Sequence, residues 1–411
     1  MKIIIIGGVT AGMSAVSKIT GGSRAEVVVY EKGAICSCGT CGLPYYLANR
    51  EADIRQAVAA MEETLRTSGV TAHCRHEVLS VACDRKQVTV RNLDNGQVFD
   101  DHYDKLVIAA GSHNLIPDVP GVEKVGVQVL KTVEDVIFLR EFTKTPFVRD
   151  ITIIGGSFAG LELAKAFLKM GRSVRIIEKE DQLLPTFDRE VSAMIQRELE
   201  ESGVKIHLRE TLRGFTGGTF IEKTETSRGS YDTDLAMMAV GVAPNTGCLT
   251  GSGISMTPQG EIIINKSMET NVPDVYAVGD CTRSLEGSLR TSSLKMADLE
   301  IARTGLTEQE AKKQGGMGSR VKTALVTAND RPGLCPNANQ ITVKMVYDGA
   351  SGRILGAQAW GKKNVIARIN MFAVAIESGM TPEQLGNVDF SYSSAASSIW
   401  DPVQVVCHDA K

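Results

Sequence analysis

Residues 151–178 read ITIIGGSFAGLELAKAFLKMGRSVRIIE. Ile151–Ile154 has the continuous apolar character of a strand buried on both faces, Gly155–Gly160 is a turn of small residues, and Leu161 to about Met170 carries helical periodicity. A second strand follows and ends at Glu178. Strand, glycine turn, helix, strand and terminal carboxylate, in that order, are what a dinucleotide site requires. The same grammar opens the chain: IIIIGGVTAGMSAVSKI over 3–19, then EVVVY over 26–30, ending at Glu31. Gly7 and Gly155 stand 148 positions apart, so one chain carries two nucleotide-binding units.

In the strict form of this turn the first glycine makes the bend, the second lets backbone approach a pyrophosphate and the third allows close helix packing. Here Val9 and Ser157 occupy the middle position, with Gly8 and Gly156 as extra glycines beside them. Phosphate charge is still met by exposed amides at the helix start, which need no particular side chain. Glu31 and Glu178 are placed to accept from ribose hydroxyls. A carboxylate there repels a 2′-phosphate, so Glu178 favours NADH over NADPH, and Lys179, with Arg172 and Arg175 nearby, moderates that preference. Two such sites imply two different dinucleotides, one delivering hydride and a flavin receiving it. Gly279-Asp280, ending DVYAVGDCT (274–282), offers a further carboxylate at a strand end.

Outward from these units, KLVIAAGSHNLIPDVPG (105–121) is a strand entering a Gly- and Pro-bearing crossover, and LAMMAVGVAPNT (235–246) repeats it after the second unit. From about residue 320 the texture changes. Residues 321–328, 341–347 and 354–360 read as antiparallel strands, and 363–379 as a helix ending at Gly379. The expected class is α/β: two Rossmann-like dinucleotide-binding domains plus a C-terminal α+β domain. A net charge of −3 with no long basic run excludes a nucleic-acid footprint. The four isoleucines of MKIIIIGG are too short a run for a signal-peptide core or a membrane span, so a cytoplasmic protein with no membrane partner is expected.

Nine cysteines, an odd number scattered along the chain, suit reduced thiols rather than a scaffold of bridges. Three of them, Cys36, Cys38 and Cys41, fall within ICSCGTCGLPYYL. A structural zinc site needs a fourth ligand that the segment does not supply, and no metal is expected. A dithiol could join Cys36 or Cys38 to Cys41. A single thiolate at Cys41 would stand at the start of a helix opening near Gly42-Leu43-Pro44, where amides lower a thiol pKa. Cys41 carries the chemistry in either of these readings, and Cys74, Cys83, Cys248, Cys281, Cys335 and Cys407 read as core or incidental thiols.

The segments IIGGVTAGMSAVSKI, CGLPYYL, YDKLVIAAG, ITIIGGSFAGLELA, VGVAPNT, VYAVGDC, ARTGLTEQEAKKQG and WDPV together resemble the single-cysteine branch of the FAD-dependent pyridine nucleotide–disulfide oxidoreductases. That branch includes coenzyme A-disulfide reductases, NADH oxidases, NADH peroxidases and persulfide reductases. The resemblance implies an FAD-binding domain at 1–112 with a return segment at 248–319, an NAD(P)-binding domain at 113–247, and a dimerisation domain at 320–411. It implies a homodimer using FAD and NADH, with NADPH as the alternative donor. Cys41 would be the redox-active sulfur beside the flavin, with Cys38 as a resolving thiol and Tyr392 reaching in from the other subunit. FAD would be held by Gly7, Gly8, Val9, Ala11, Gly12, Glu31, Lys32, Ala110, Gly111 and Asp280. The nicotinamide dinucleotide would be held by Gly155, Gly156, Ser157, Phe158, Gly160, Glu162, Glu178, Lys179 and Gly241, with Phe158 gating its pocket.

Thr10 discriminates within the branch, because the peroxidases and oxidases resemble GCTHAG with a histidine at this position. A threonine is a poor acid–base group, which favours a small disulfide or persulfide as acceptor over oxygen. The chain also departs from the branch. Thr20-Gly21 stands where paired arginines are usual, leaving Lys18 and Arg24 for coenzyme A phosphates. Cys38 and Thr40 replace an aromatic and an asparagine, and Ser393-Ser394 replaces Pro-Pro. Only Thr282–Arg290 separates Cys281 from Thr291, where the branch carries a helix facing the flavin. Weaker FAD binding or an open flavin face is the expected consequence. Reduction of oxygen and a flavin-poor binding or scaffold protein are the alternative functions.

Overall fold

The computed structural model describes the chain except residues 23–24, 37–38, 40–41, 50–51, 68, 285–288, 297, 315–317, 334, 396 and 411. Two compact units are present. The first comprises Met1–Gly155, Ala166–Arg175 and Thr211–Gly287, and the second Gly156–Lys165, Ile176–Glu210 and Ser288–Lys411.

The first unit is built on a parallel sheet in the order Val275–Ala277, Lys105–Ile108, Lys2–Ile6, Glu26–Tyr30, Thr71–His73. Its period of two sorts the opening isoleucines onto two faces. Ile3 and Ile5 pack with Val27, Val29 and Val16 of the helix Thr10–Thr20. Ile4 and Ile6 join Val28, Tyr30 and Leu106 against Val78, Val81, Val88 and Val90 of a three-stranded antiparallel sheet, His76–Ala82, Gln87–Asn92 and Val98–His102. Each buried isoleucine contributes about 2 kcal/mol of hydrophobic free energy. Because all five strands are parallel, their carboxyl ends share one edge. Gly7, Glu31, Cys74, Ala109 and Val278 follow those ends directly, and Val278 N donates to Ile108 O at 2.9 Å.

The first unit also holds the strand Asp150–Ile154, which pairs in parallel with Leu235–Met238, itself parallel to Val127–Gln128. Ile151, Ile153, Leu235 and Met237 are buried, as the continuous apolar runs require. After Asp280 the chain forms Thr282–Ser284, parallel to Ile262–Ile264. Among the described residues no helix lies between Asp280 and Ser292, in keeping with the short connection noted in the sequence.

The second unit holds an antiparallel sheet in the order Ser292–Met296, Leu299–Gly305, Ile354–Gly361, Gln340–Asp348, Val321–Asn329. Helices Val365–Glu377 and Pro402–His408 supply Ile369, Phe372, Val403 and Val406 to its core. The three strands and the helix read from residues 320–379 are present, and the hairpin 292–305 adds two strands. The unit also contains the helix Arg189–Glu201, whose N-cap Asp188 is bonded to Gln358 (Asp188 N to Gln358 Oε1, 2.8 Å). Buried Lys344 lies 3.0 Å from Asp188, 2.9 Å from Glu190 and 2.7 Å from Glu308. Burial alone would lower the Lys344 pKa, but Glu308, Glu190 and Asp188 override it and hold the ammonium charged above its ordinary range. No helix among the described residues is long and apolar enough to cross a membrane.

Candidate active site

The first glycine turn is shaped by close approach. Gly7 has φ +99, and a Cβ there would fall 2.2 Å from Ala109 O; one on Gly12 would fall 1.9 Å from Gly7 O. Only glycine permits both. The helix Thr10–Thr20 starts with no side-chain cap and no acidic residue in its first turn. Its leading amides are therefore not met by any local carboxylate, a setting suited to an anion. Gly8 explains its own presence: its N–H donates to Glu31 Oε2 at 2.7 Å, while Gly33 N donates to Oε1 at 2.6 Å. Lys32 is exposed and pairs with Glu77 at 2.8 Å.

At the same sheet edge Gly279 has φ +82, and a Cβ on it would stand 2.7 Å from Ala11 Cβ. Asp280 is thus beside the first turn. Its Oδ2 accepts from Ser112 Oγ at 2.9 Å and lies 3.3 Å from Lys131 Nζ, which also reaches Ser112 Oγ at 2.9 Å. Ala110 and Gly111 are held through their carbonyls by Asn245, whose Nδ2 and N donate at 3.0 Å each. Val9, Glu31, Leu43, Lys131 and Thr132 line a cavity of about 70 Å³. A glycine cradle, uncapped helix amides, a ribose-type carboxylate and a second carboxylate with a lysine fit a flavin dinucleotide.

The second turn repeats this construction. Gly155 has φ +109, and a Cβ on it would be 2.4 Å from Ala239 O. In the second unit Gly156 N donates to Glu178 Oε2 at 2.6 Å and Glu180 N to Oε1 at 2.8 Å. A Cβ on Gly156 would meet Leu183 Cδ2 at 2.5 Å. Gly160 N donates weakly to Ser157 Oγ at 3.4 Å, and Phe158 packs edge-on against Phe187 at 5.8 Å. Burial pushes the Glu162 carboxyl above its ordinary range, with Lys165 opposing. Glu178 is only 7% exposed, whereas Lys179 is exposed and 3.8 Å from Glu180. Arg172 donates to Thr143 O and Arg175 stacks over Tyr231 at 4.4 Å, so both guanidinium groups are engaged inside the first unit. Gly241, φ +126, accepts from Leu115 N at 2.9 Å, also in the first unit.

Cys38 and Cys41 lie outside the described residues. Gly39 and Gly42 beside them are described. A Cβ on Gly39 would lie 3.9 Å from Thr10 Oγ1, and the helix Leu43–Ala48 opens at Leu43 with Pro44 in its first turn. Gly39 therefore lies near the first turn, and Leu43 lines the same cavity as Val9. Cys36 is bonded to Cys74, with Cα atoms 6.2 Å apart. This corrects two expectations: Cys36 does not pair with Cys41, and Cys74 is not an incidental thiol. Among the described residues no three His, Cys, Asp or Glu side chains cluster to hold a metal. Tyr392 lies in the second unit and is exposed, as are Ile399 and Trp400.

Sequence reasoning missed Lys131, Ser112 and the Cys36–Cys74 bond. A local signal for Lys131 existed: the next residues, Thr132 to Asp135, form a capping box that fixes a helix start.

Over residues 1–305 the chain matches the family described as pyridine nucleotide-disulphide oxidoreductase, and over 291–401 the dimerisation domain of that family. It is 30% identical over 446 positions to the NAD(P)H sulfur oxidoreductase (CoA-dependent) of Pyrococcus furiosus, covering 100% of this chain and 99% of that protein. An alignment of 446 positions against 411 residues means that the chain lacks internal positions its relative has. Among solved structures it is similar to reduced Bacillus anthracis CoADR-RHD, with TM-score 0.92, 26% identity, and 99% of this chain and 79% of that one covered. It is also similar to the water-forming NADH oxidase of Lactobacillus brevis bound to NADH, with TM-score 0.90, 29% identity and 99% and 97% covered.

Proposed function

This chain belongs to the pyridine nucleotide-disulphide oxidoreductase family, and from that premise we propose an FAD-dependent NAD(P)H oxidoreductase that reduces a low-molecular-weight disulfide or persulfide through Cys41. The observation that carries the proposal is the convergence on one sheet edge of the Gly7–Gly12 cradle, Glu31 and Asp280 with Lys131, with Gly39 near Thr10 and Leu43 in the cavity that Val9, Glu31 and Lys131 line. FAD, when bound, supplies two-electron chemistry between a nicotinamide and a sulfur.

The protein's own residues position the reactants. The uncapped amides at the start of the helix Thr10–Thr20 would meet the FAD pyrophosphate, Gly8 would hold Glu31 in place for a ribose, and Asp280 and Lys131 would hold the chain and ring beyond it, with Ala110 and Gly111 shaping the wall. Gly156, Ser157 and Gly160 would do the same for the second dinucleotide, with Phe158 and Glu162 at its nicotinamide end. Glu178, buried and holding two amides, disfavours a 2′-phosphate, so NADH is preferred and NADPH is the weaker donor. Lys179 keeps that preference moderate. Cys41 attacks one acceptor sulfur as a thiolate, the acceptor's S–S bond breaks and its other half leaves as a thiolate, and Cys38 then releases the first half from Cys41, leaving a Cys38–Cys41 disulfide that two electrons from NADH return to thiols.

The organisation that goes with this reading is an FAD domain at 1–112 with its return from 248 and a nicotinamide domain at 113–247, with the dimerisation domain beginning at the hairpin formed by Ser292–Met296 and Leu299–Gly305 rather than at 320. A cytoplasmic homodimer, with Tyr392 contributed across the interface, completes it. Exposed Tyr392, Ile399 and Trp400 support that interface.

A second reading, oxygen as acceptor, draws on the likeness to the Lactobacillus brevis NADH oxidase, and Thr10 in place of a histidine counts against it. An acceptor panel on the flavin-loaded protein separates the two. Coenzyme A disulfide or glutathione persulfide should accelerate anaerobic NADH oxidation well beyond the rate that oxygen supports. Oxygen consumption equal to NADH consumption, unchanged by any disulfide, would replace the first reading with the second.

A further inference from the structure

Cys74 follows the edge strand Thr71–His73 of the first sheet, and Cys36 lies five residues beyond Glu31. The bond between them closes a frame around the Glu31 carboxylate. Backbone bonds already tie the two segments: Glu31 N to His73 O at 3.0 Å, Arg75 N to Gly33 O at 2.9 Å and His76 N to Glu31 O at 2.8 Å. The disulfide is the covalent member of that set. It touches the nucleotide cradle directly, since a Cβ on Gly8 would lie 3.2 Å from Cys36 Sγ and 3.2 Å from Glu31 Cβ. Cys36 is 1% exposed, while Cys74 is only half-buried, so the pair has one reachable sulfur and one leaving sulfur.

We propose that Cys36–Cys74 is a reversible thiol–disulfide site for low-molecular-weight thiols and disulfides, and that its state sets how firmly the first turn retains FAD. The proposal rests on the reading that this turn binds FAD. In the reducing direction a small thiolate attacks Cys74 Sγ, the Cys74–Cys36 bond breaks, and Cys36 leaves as a thiolate. A second thiol attacks the mixed disulfide and departs as the small disulfide. Two electrons pass from the two thiols to the protein, and their two protons end on Cys36 and Cys74. The small disulfide reverses each step and is itself reduced to two thiols. Opening the bond unties Glu31's segment and forces two non-bonded sulfurs into a close-packed site against Gly8. Because the oxidant is the same class of molecule as the proposed substrate, disulfide accumulation would tighten the cofactor site and thiol accumulation would loosen it.

The test uses the purified, flavin-loaded full chain. Non-reducing peptide mapping should find Cys36 joined to Cys74. Dithiothreitol should open the bond and accelerate FAD release on dilution several-fold, read by flavin fluorescence, and glutathione disulfide should restore both. Cys74→Ser should release FAD quickly with or without dithiothreitol. If that variant does not fold, the wild-type comparison decides alone. FAD release at one rate before and after the bond opens overturns the inference, as does failure to find the joined peptides even after glutathione disulfide treatment. A chain that binds no flavin under any of these conditions refutes the proposed function itself, an outcome read from absorbance before any thiol is added.

Discussion

Gly12→Ala is the substitution whose effect the first turn fixes most tightly. Gly12 is helical, so alanine would by itself favour the helix by about 0.8–1.0 kcal/mol. The new Cβ, however, would stand 1.9 Å from Gly7 O and 3.4 Å from Ile5 Cγ2. Gly7 O is backbone, held at the end of a strand with a neighbour on either side, and cannot rotate away. The helix Thr10–Thr20 must therefore retreat by about 1 Å, an overpacking that typically costs about 1–3 kcal/mol. Its leading amides retreat with it, and an amide–phosphate bond stretched that far passes beyond hydrogen-bonding range. Losing one bond to a charged group is worth about 1.5–3 kcal/mol, so FAD should bind about ten- to hundredfold more weakly. The assay is flavin content after purification together with a fluorescence titration of the apoprotein. Gly22→Ala, where nothing lies within 4 Å, is the control and should match wild type. Gly12→Ala with wild-type FAD affinity and thermal stability would refute the account of this turn.

Glu178→Ala should lower the NADH preference, raising the ratio of NADPH to NADH turnover while the KM for NADH rises. It removes the acceptor for Gly156 and Glu180 amides, and an unchanged cofactor ratio in steady-state kinetics would count against Glu178. Lys344→Met should destabilise the fold by about 3–5 kcal/mol, because it strands buried Asp188 without its cation; denaturant titration measures this. Asp274 is held at about pKa 2 by Lys86 and Lys105, below its ordinary 3.8. Its stabilisation is therefore complete above pH about 4 and lost as pH falls toward 2. Asp274→Asn should flatten that part of the acid-unfolding curve. Burial pushes Cys407 up to about 12 and raises Cys281 as well, so native alkylation at mildly alkaline pH should spare both, as peptide mapping would reveal.

The two glycine turns were legible because every group that makes them lies within about one strand–helix–strand length, where local pattern and structure coincide. Within those spans the structure joins Gly8 to Glu31 and Gly156 to Glu178. Lys131, Ser112 and Asp280 did not announce themselves as a set. They come from three segments joined only when Val275–Ala277 returns beside Lys105–Ile108, a pairing no local pattern encodes. Cys36–Cys74 was hidden in the same way, since it depends on Thr71–His73 pairing with Val28–Tyr30. In the C-terminal sheet the strands after residue 320 were readable, but Ser292–Met296 and Leu299–Gly305 join it as a hairpin that precedes the change in texture.

The central claim is that Cys41 exchanges electrons with a flavin held at the first turn. Anaerobic titration of the flavin-loaded protein with NADH, wild type against Cys41→Ser, tests it most directly. Wild type should consume more NADH per flavin than the variant and reduce added disulfide, while Cys41→Ser should accept hydride into the flavin yet leave the disulfide untouched. Equal NADH uptake and equal disulfide reduction in the two proteins would contradict the account.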